Sequence, residues 1–257
     1  MKSENLGFKV ISADTSAGTK SYLLASQRPV LNPIPYGPLN IRCPPQNTIF
    51  YQGDAADTFF VIKSGWIKQY LLLEDGRCHI LDFATSGDII GINATPNGCH
   101  YSTAETITDV VLSAHSCELL SKHGTINQSA DLLPVVRHLS RESRRMHKRI
   151  VAMSTLPASD RILHLLTDIF LRARKCLPVT GDILPLPLNQ QMIAEAVGLT
   201  SVHVSRTMTL LRLNGVIEFR SGLLTIVDAE AMLSMSYVDP ADYRDLHHGS
   251  TDRIAAF

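Results

Sequence analysis

Residues Asn189–Asn214 read NQQMIAEAVGLTSVHVSRTMTLLRLN, and the reading of this stretch decides the fold. Asn189 has a short side-chain oxygen that can cap a helix by accepting from a backbone N–H two or three residues on. That predicts a short helix over Gln190–Val197. Ala194 is small enough to let a second helix cross closely. Gly198, four residues later, supplies a tight turn that a side chain would obstruct. Thr200 caps the next helix, Ser201–Leu213, and Gly215 stops it. Ile193, Val197, Leu199 and Val204 form the apolar contact between the two helices. Beyond them, Val216–Phe219 and Leu223–Val227 flank the turn Arg220-Ser221-Gly222, a β-hairpin wing. An ordinary helical hairpin shares the caps but not a wing at this place, so the segment reads as a winged helix-turn-helix.

In that geometry the N-terminal half of the second helix enters the DNA major groove. The candidate DNA-binding residues are Thr200, Ser201, Val202, His203, Ser205 and Arg206. Arg206 can donate two parallel hydrogen bonds to guanine O6 and N7, and Val202 can pack on a thymine methyl. Ser205 can bond a base edge or a phosphate. The Thr200 hydroxyl and the helix N-terminus suit a phosphate. His203 reads equally well as a solvated surface residue.

Upstream, a longer helix is predicted over Ser129–Thr155. Leu132, Leu139, Met146 and Met153 recur every seven residues, with Val136, Ser143 and Ile150 between them. This is an a/d stripe with one polar member, Ser143, and the other faces carry Arg137, Arg141, Glu142, Arg144, Arg145, Lys148 and Arg149. The stripe reads as the interface of a parallel homodimer. The alternative is an amphipathic helix packed on its own domain. Pro157 ends this helix. A second one over Ala158–Lys175 turns Ile162, Leu165, Leu166, Ile169 and Ala173 to a core. Leu177–Leu188 is a loop with short strands.

The first half of the chain has another texture. Short apolar runs, Asn47–Tyr51, Thr58–Lys63, Trp66–Leu73, Cys78–Ala84, Ile89–Ile92 and Ser102–Ala114, are separated by glycine-containing turns. This pattern predicts an all-β barrel or sandwich. The expected organisation is a mobile tail over 1–28, a β-barrel sensor domain over 29–128, and a dimerisation helix over 129–156. A winged helix-turn-helix over 157–230 and a C-terminal extension over 231–257 follow. The fold class is α+β multidomain.

A length of 257 residues with 45% hydrophobic side chains supports two modest cores, and 19% charged residues is too few for a largely disordered chain. The 24 basic residues balance 24 acidic ones, so nucleic acid must meet a local basic patch rather than a global field. The five cysteines are odd in number and widely spaced, which reads as reduced thiols in a cytoplasmic protein. Cys78 and Cys117 are expected as buried small hydrophobes. Cys176, after Arg172, Arg174 and Lys175, is the candidate for oxidation. No signal peptide, membrane span or nucleophilic triad is read, so neither a membrane partner nor enzyme activity is expected.

The chain resembles the Crp/Fnr family of bacterial transcription regulators. The resemblance rests on Asp75-Gly76-Arg77, the corner Ser86-Gly87-Asp88-Ile89-Ile90-Gly91, the heptad helix, and Leu186 to Gly215. It implies a cyclic-nucleotide-binding-like sensor domain of double-stranded β-helix (jelly-roll-like) form and a long dimer helix. It also implies a winged helix-turn-helix, a palindromic double-stranded DNA target and contact with RNA polymerase. Members that bind cyclic AMP carry a Glu where this chain has Ile92, and an Arg followed by Ser or Thr where it has Ser102 and Thr103. These three residues are the candidate effector pocket. A phosphate needs a cation or several donors, so cyclic AMP is not the expected effector. An iron–sulfur cluster lacks ligands, because no cysteine precedes Cys43. Haem-binding members use a Cys and a His where this chain has Gly91 and Asn93. His79, His100 and His115 leave haem open. Many members also carry Glu at the position of Val202, which puts their familiar half-sites in question here. The function expected is a homodimeric DNA-binding regulator not controlled by cyclic AMP. The rivals are a haem or redox sensor of the same family, and a regulatory module acting through protein contacts.

Overall fold

The computed structural model describes residues 12–13, 21–23, 39–92, 97–117, 129–176 and 182–239. They fall into two compact units. One holds the N-terminal strands. The other begins at Ser129 and includes the short segment Arg77–Ile80.

The first half of the chain contains β1 (Ser12–Ala13), β2 (Ser21–Leu23), β3 (Leu39–Cys43), β4 (Thr48–Phe50), β5 (Thr58–Ser64), β6 (Trp66–Leu72), β7 (Cys78–Thr85), β8 (Ile89–Ile90), β9 (Thr103–Thr106) and β10 (Val110–Ser116), all in the first unit except the opening residues of β7, Cys78–Ile80. They make a six-stranded sheet in the order β1-β2-β3-β10-β5-β8 and a four-stranded sheet in the order β4-β9-β6-β7. The arrangement is jelly-roll-like rather than a closed barrel. Strand β5 lies between β10 and β8 and is buried over four successive residues, Phe59–Ile62. An apolar run without alternation is what a strand covered on both faces requires. Ile41, Ile62, Ile67, Phe60, Ile90 and Leu112 form the middle of the core. Each such side chain contributes about 1.5–3 kcal/mol on burial.

Several expectations change here. The run Ser102–Ala114 is two strands in different sheets, not one. The crossing is pinned at Trp66, whose N–H donates to Thr108 Oγ1 at 2.9 Å and whose carbonyl accepts from Ile107 N at 2.8 Å. The run Ile89–Ile92 ends as a strand at Ile90, because Gly91 turns to a φ of 83°. There a Cβ would stand 3.2 Å from both His100 Cε1 and Thr58 O. Strand β3 was not among the predicted runs. It pairs antiparallel with β10 and parallel with β2. The expected mobile tail therefore contains two short strands, β1 and β2, and the remainder of 1–28 lies outside the described residues. Cys78 and Cys117 are half-buried, at the start of β7 and just past β10. The fully buried thiol is Cys43, whose pKa burial pushes up to about 12.

The second unit contains α1 (Ser129–Thr155), α2 (Ala158–Cys176), β11 (Ile183–Pro185), α3 (Gln190–Val197), α4 (Ser201–Leu213), β12 (Ile217–Arg220), β13 (Leu223–Ile226) and α5 (Ala229–Ser236). Leu156 and Pro157 separate the first two helices, and the Pro157 carbonyl accepts from Asp160 N at 3.1 Å to open α2. Helix α2 is the core helix: Ile162, Leu163, Leu166, Ile169 and Ala173 are at most 1% exposed. The wing is a three-stranded sheet, β11-β13-β12, one strand more than the hairpin predicts. Helix α5 crosses the expected domain end at residue 230. It packs on α2, where His164 Nδ1 donates to Ser236 O at 2.9 Å. Asp228 caps it by accepting from Ala231 N at 2.9 Å, a local start signal for the helix.

Candidate DNA-binding site

Local chemistry sets the two helices of the motif. Asn189 Oδ1 accepts from Met192 N at 2.8 Å at the head of α3. Thr200 Oγ1 accepts from His203 N at 3.2 Å at the head of α4. Between them Gly198 takes the left-handed conformation, φ 67° and ψ 38°, which costs any other L-residue backbone strain. Ile193, Val197 and Val204 are buried between the helices, and Leu199 is half-buried.

The outer face of α4 is open. Its buried side carries Val204, Thr207, Met208 and Leu211. Opposite that side lie Val202, which is 60% exposed, and Arg206 one turn on, also exposed. His203 is exposed as well, whereas Ser201 and Ser205 are half-buried. The structure thus brings the six candidates onto the first two turns of one helix and its cap. Arg212 is exposed in the last turn. The candidate set omitted Arg220, which stands at the tip of the wing and pairs through Nε with Glu218 Oε1 at 2.9 Å. Its signal was in the sequence, as the only cation of the turn Arg220-Ser221-Gly222.

The heptad stripe on α1 divides. Val136 (54% exposed), Met146 and Ile150 (64%) are exposed together with Ser143, and Leu139 is half-buried. Glu142, beside the stripe, and Ala152, opposite it, are buried. Met153 is half-buried. Its Cε lies 3.3 Å from the point a Cβ on Gly198 would occupy, so the last heptad position packs on the helix-turn-helix. The Leu132 side chain lies outside the described residues.

In the first unit, Ser102 and Thr103 are buried and Ile92 is half-buried. Thr103 Oγ1 accepts from Gln52 N at 3.0 Å. The candidate haem ligands have packing roles. His100 stacks on Phe50 with ring centres 3.8 Å apart, and His115 stacks on Phe59 and bonds Ser113 Oγ at 3.0 Å. Burial lowers the pKa of both, and Lys63 adds to the effect at His115, which falls to about 4. Burial also lowers that of His79, with the Arg149 charge acting the same way. Cys176 is exposed at the end of α2.

Two family models match this chain in sequence order: a cyclic nucleotide-binding domain over residues 40–118 and a Crp-like helix-turn-helix domain over residues 160–235. The chain belongs to the Crp/Fnr family. Among curated relatives, the nitrogen fixation regulation protein FixK of Bradyrhizobium diazoefficiens is 29% identical over 70% of this chain and 75% of its own length. FixK of Rhizobium meliloti is 29% identical over 74% and 84%. Among solved structures, FixK2 from Bradyrhizobium japonicum superposes with a TM-score of 0.68 at 20% identity, covering 79% of this chain and 99% of that one. This Crp/Fnr protein is a DNA-binding transcription regulator, and regulators of the family act as dimers. Nothing in these likenesses makes it specific for cyclic AMP. Among the described residues, no helix is long and apolar enough to cross a membrane.

Proposed function

We propose that this Crp/Fnr regulator binds an imperfect palindrome as a two-fold dimer in the cytoplasm and acts there on RNA polymerase, without cyclic AMP as its signal. A sensor domain precedes the dimer helix and the DNA-binding domain in this reading. The observation that carries it is the pair of open faces on the second unit. The Val136–Ile150 stripe of α1 offers apolar side chains to a second copy, and α4 offers Val202 and Arg206 to a groove. Two recognition helices on a two-fold axis suit half-sites about one helical turn apart, roughly 34 Å. Arg206 reads a guanine, Val202 and Ser205 contact neighbouring bases, and Thr200, Ser201 and His203 hold the backbone with the N-terminus of α4. Arg220 reaches a flanking phosphate from the wing.

Selection from random duplexes, with and without cyclic AMP, tests this. The expected product is one palindrome, independent of the nucleotide. Arg206→Ala should lose about 1–3 kcal/mol per half-site and relax preference at one base pair. Arg212→Ala, nearly two turns further on, should weaken binding evenly and reduce the salt slope by about one charge. Should Arg212→Ala lower discrimination while Arg206→Ala leaves it unchanged, the register of the helix is misassigned.

A further inference from the structure

The C-terminus of α3 is capped from outside the helix-turn-helix. The last turn of a helix leaves carbonyls without helical partners. Here Gly198 N and Leu199 N both close on Ala194 O. The Ala196 carbonyl instead accepts from Arg149 Nη2 of α1, at 2.7 Å. The same nitrogen donates to Ile80 O at 2.9 Å, and the His79 ring bonds the backbone of Glu195. Met153, one turn beyond Arg149, meets the α3–α4 turn at Gly198. A guanidinium at this end of a helix is favoured twice, by the orphan carbonyl and by the negative pole of the helix dipole.

Arg149 and the exposed stripe share one helix. Met146 and Ile150 are exposed on α1, while Arg149 and Met153, at neighbouring positions, hold the α3–α4 turn. We infer that Arg149 is a positioning residue for DNA binding, fixing the helix-turn-helix on α1 and so setting the distance between the two recognition helices of the dimer. This rests on the dimer reading above. Arg149 touches no DNA in this scheme. It acts through the seat of α3.

The test is a series of palindromes whose half-sites are moved apart or together one base pair at a time, beside an isolated half-site. Wild type should show a sharp optimum. Arg149→Ala should lower affinity at that optimum about tenfold, as loss of a charged hydrogen bond does, flatten the spacing profile, and leave half-site binding unchanged. Arg149→Lys, which keeps the charge but not the planar fork, should fall between them. It also serves if the alanine variant does not fold. The inference is overturned by a folded, dimeric Ala or Lys variant with the wild-type spacing profile. Equal losses on half-site and palindrome, the mark of a general destabilisation, overturn it as well. A wild-type protein that prefers no paired site defeats the dimer reading itself, and this inference with it.

Discussion

Val202 is an apolar side chain on the open face of the second helix of the helix-turn-helix. It is 60% exposed on the first turn of α4, on the side opposite the buried Val204 and Leu211. A glutamate there would accept from cytosine N4, whereas a valine offers only apolar surface, which matches the C5-methyl of thymine. Thr209, further along the same face, donates its hydroxyl to Ser205 O at 3.0 Å. That leaves Val202 and Arg206 as the outward pair a base would meet first. The expected outcome is that uracil in place of one thymine per half-site lowers affinity about fourfold, the worth of one methyl group. Val202→Ala should remove that sensitivity. Binding that ignores every thymine-to-uracil exchange, or a sensitivity that persists in Val202→Ala, would show that the side chain reads no methyl.

At the scale of elements, α1 carries buried and open positions. Glu142 and Ala152 are buried, whereas Val136, Met146 and Ile150 are exposed. Apolar side chains at heptad spacing on an open face are what a parallel dimer seam buries. Replacing Leu139 and Met146 together with Lys would set like charges across the two-fold axis. Light scattering should then report monomers, and tight palindrome binding should disappear in the same variant. A double variant that stays dimeric would place the seam elsewhere. The caps of α3 and α4 were legible for a local reason. Asn189, Thr200 and Gly198 act within a few residues of themselves, so their meaning survives without knowledge of the fold. Helix α5 carries an equally local signal in Asp228, and the domain limit set at residue 230 passed over it.

At the scale of the whole molecule, buried histidines tie stability to pH. His115 is 2% exposed, and burial followed by the Lys63 charge lowers its pKa from 6.5 to about 4. The sign follows from proton counting. Between those two values the unfolded chain holds the proton and the folded chain does not, so acid favours unfolding. The contribution is complete above the unfolded value and is lost as pH falls toward 4, at a limiting slope of about 1.4 kcal/mol per pH unit. His100, lowered in the same direction, adds to it. Urea unfolding at pH 7, 6 and 5 should show this loss, and His115→Gln should reduce the slope. An unchanged slope in that variant would assign the acid sensitivity to other groups.

What the sequence by itself determined is what short-range chemistry encodes. The limits of α3 and α4 follow from caps and a left-handed glycine, and the extent of α1 follows from a seven-residue period closed by Pro157. The family followed from the same motifs. Only the tertiary structure decided where distant partners meet. Leu39, Ile41 and Cys43 alternate with polar residues, but pairing with β10 is what makes them a strand. Ser102–Ala114 divides because Trp66, more than thirty residues away, fixes the crossing. Met153 packs at Gly198, and Arg149 caps a helix that begins only at Gln190. A periodic pattern states that a side chain is apolar and which face it shares. Which surface that face meets depends on contacts between residues far apart in the chain, and no local spacing carries them.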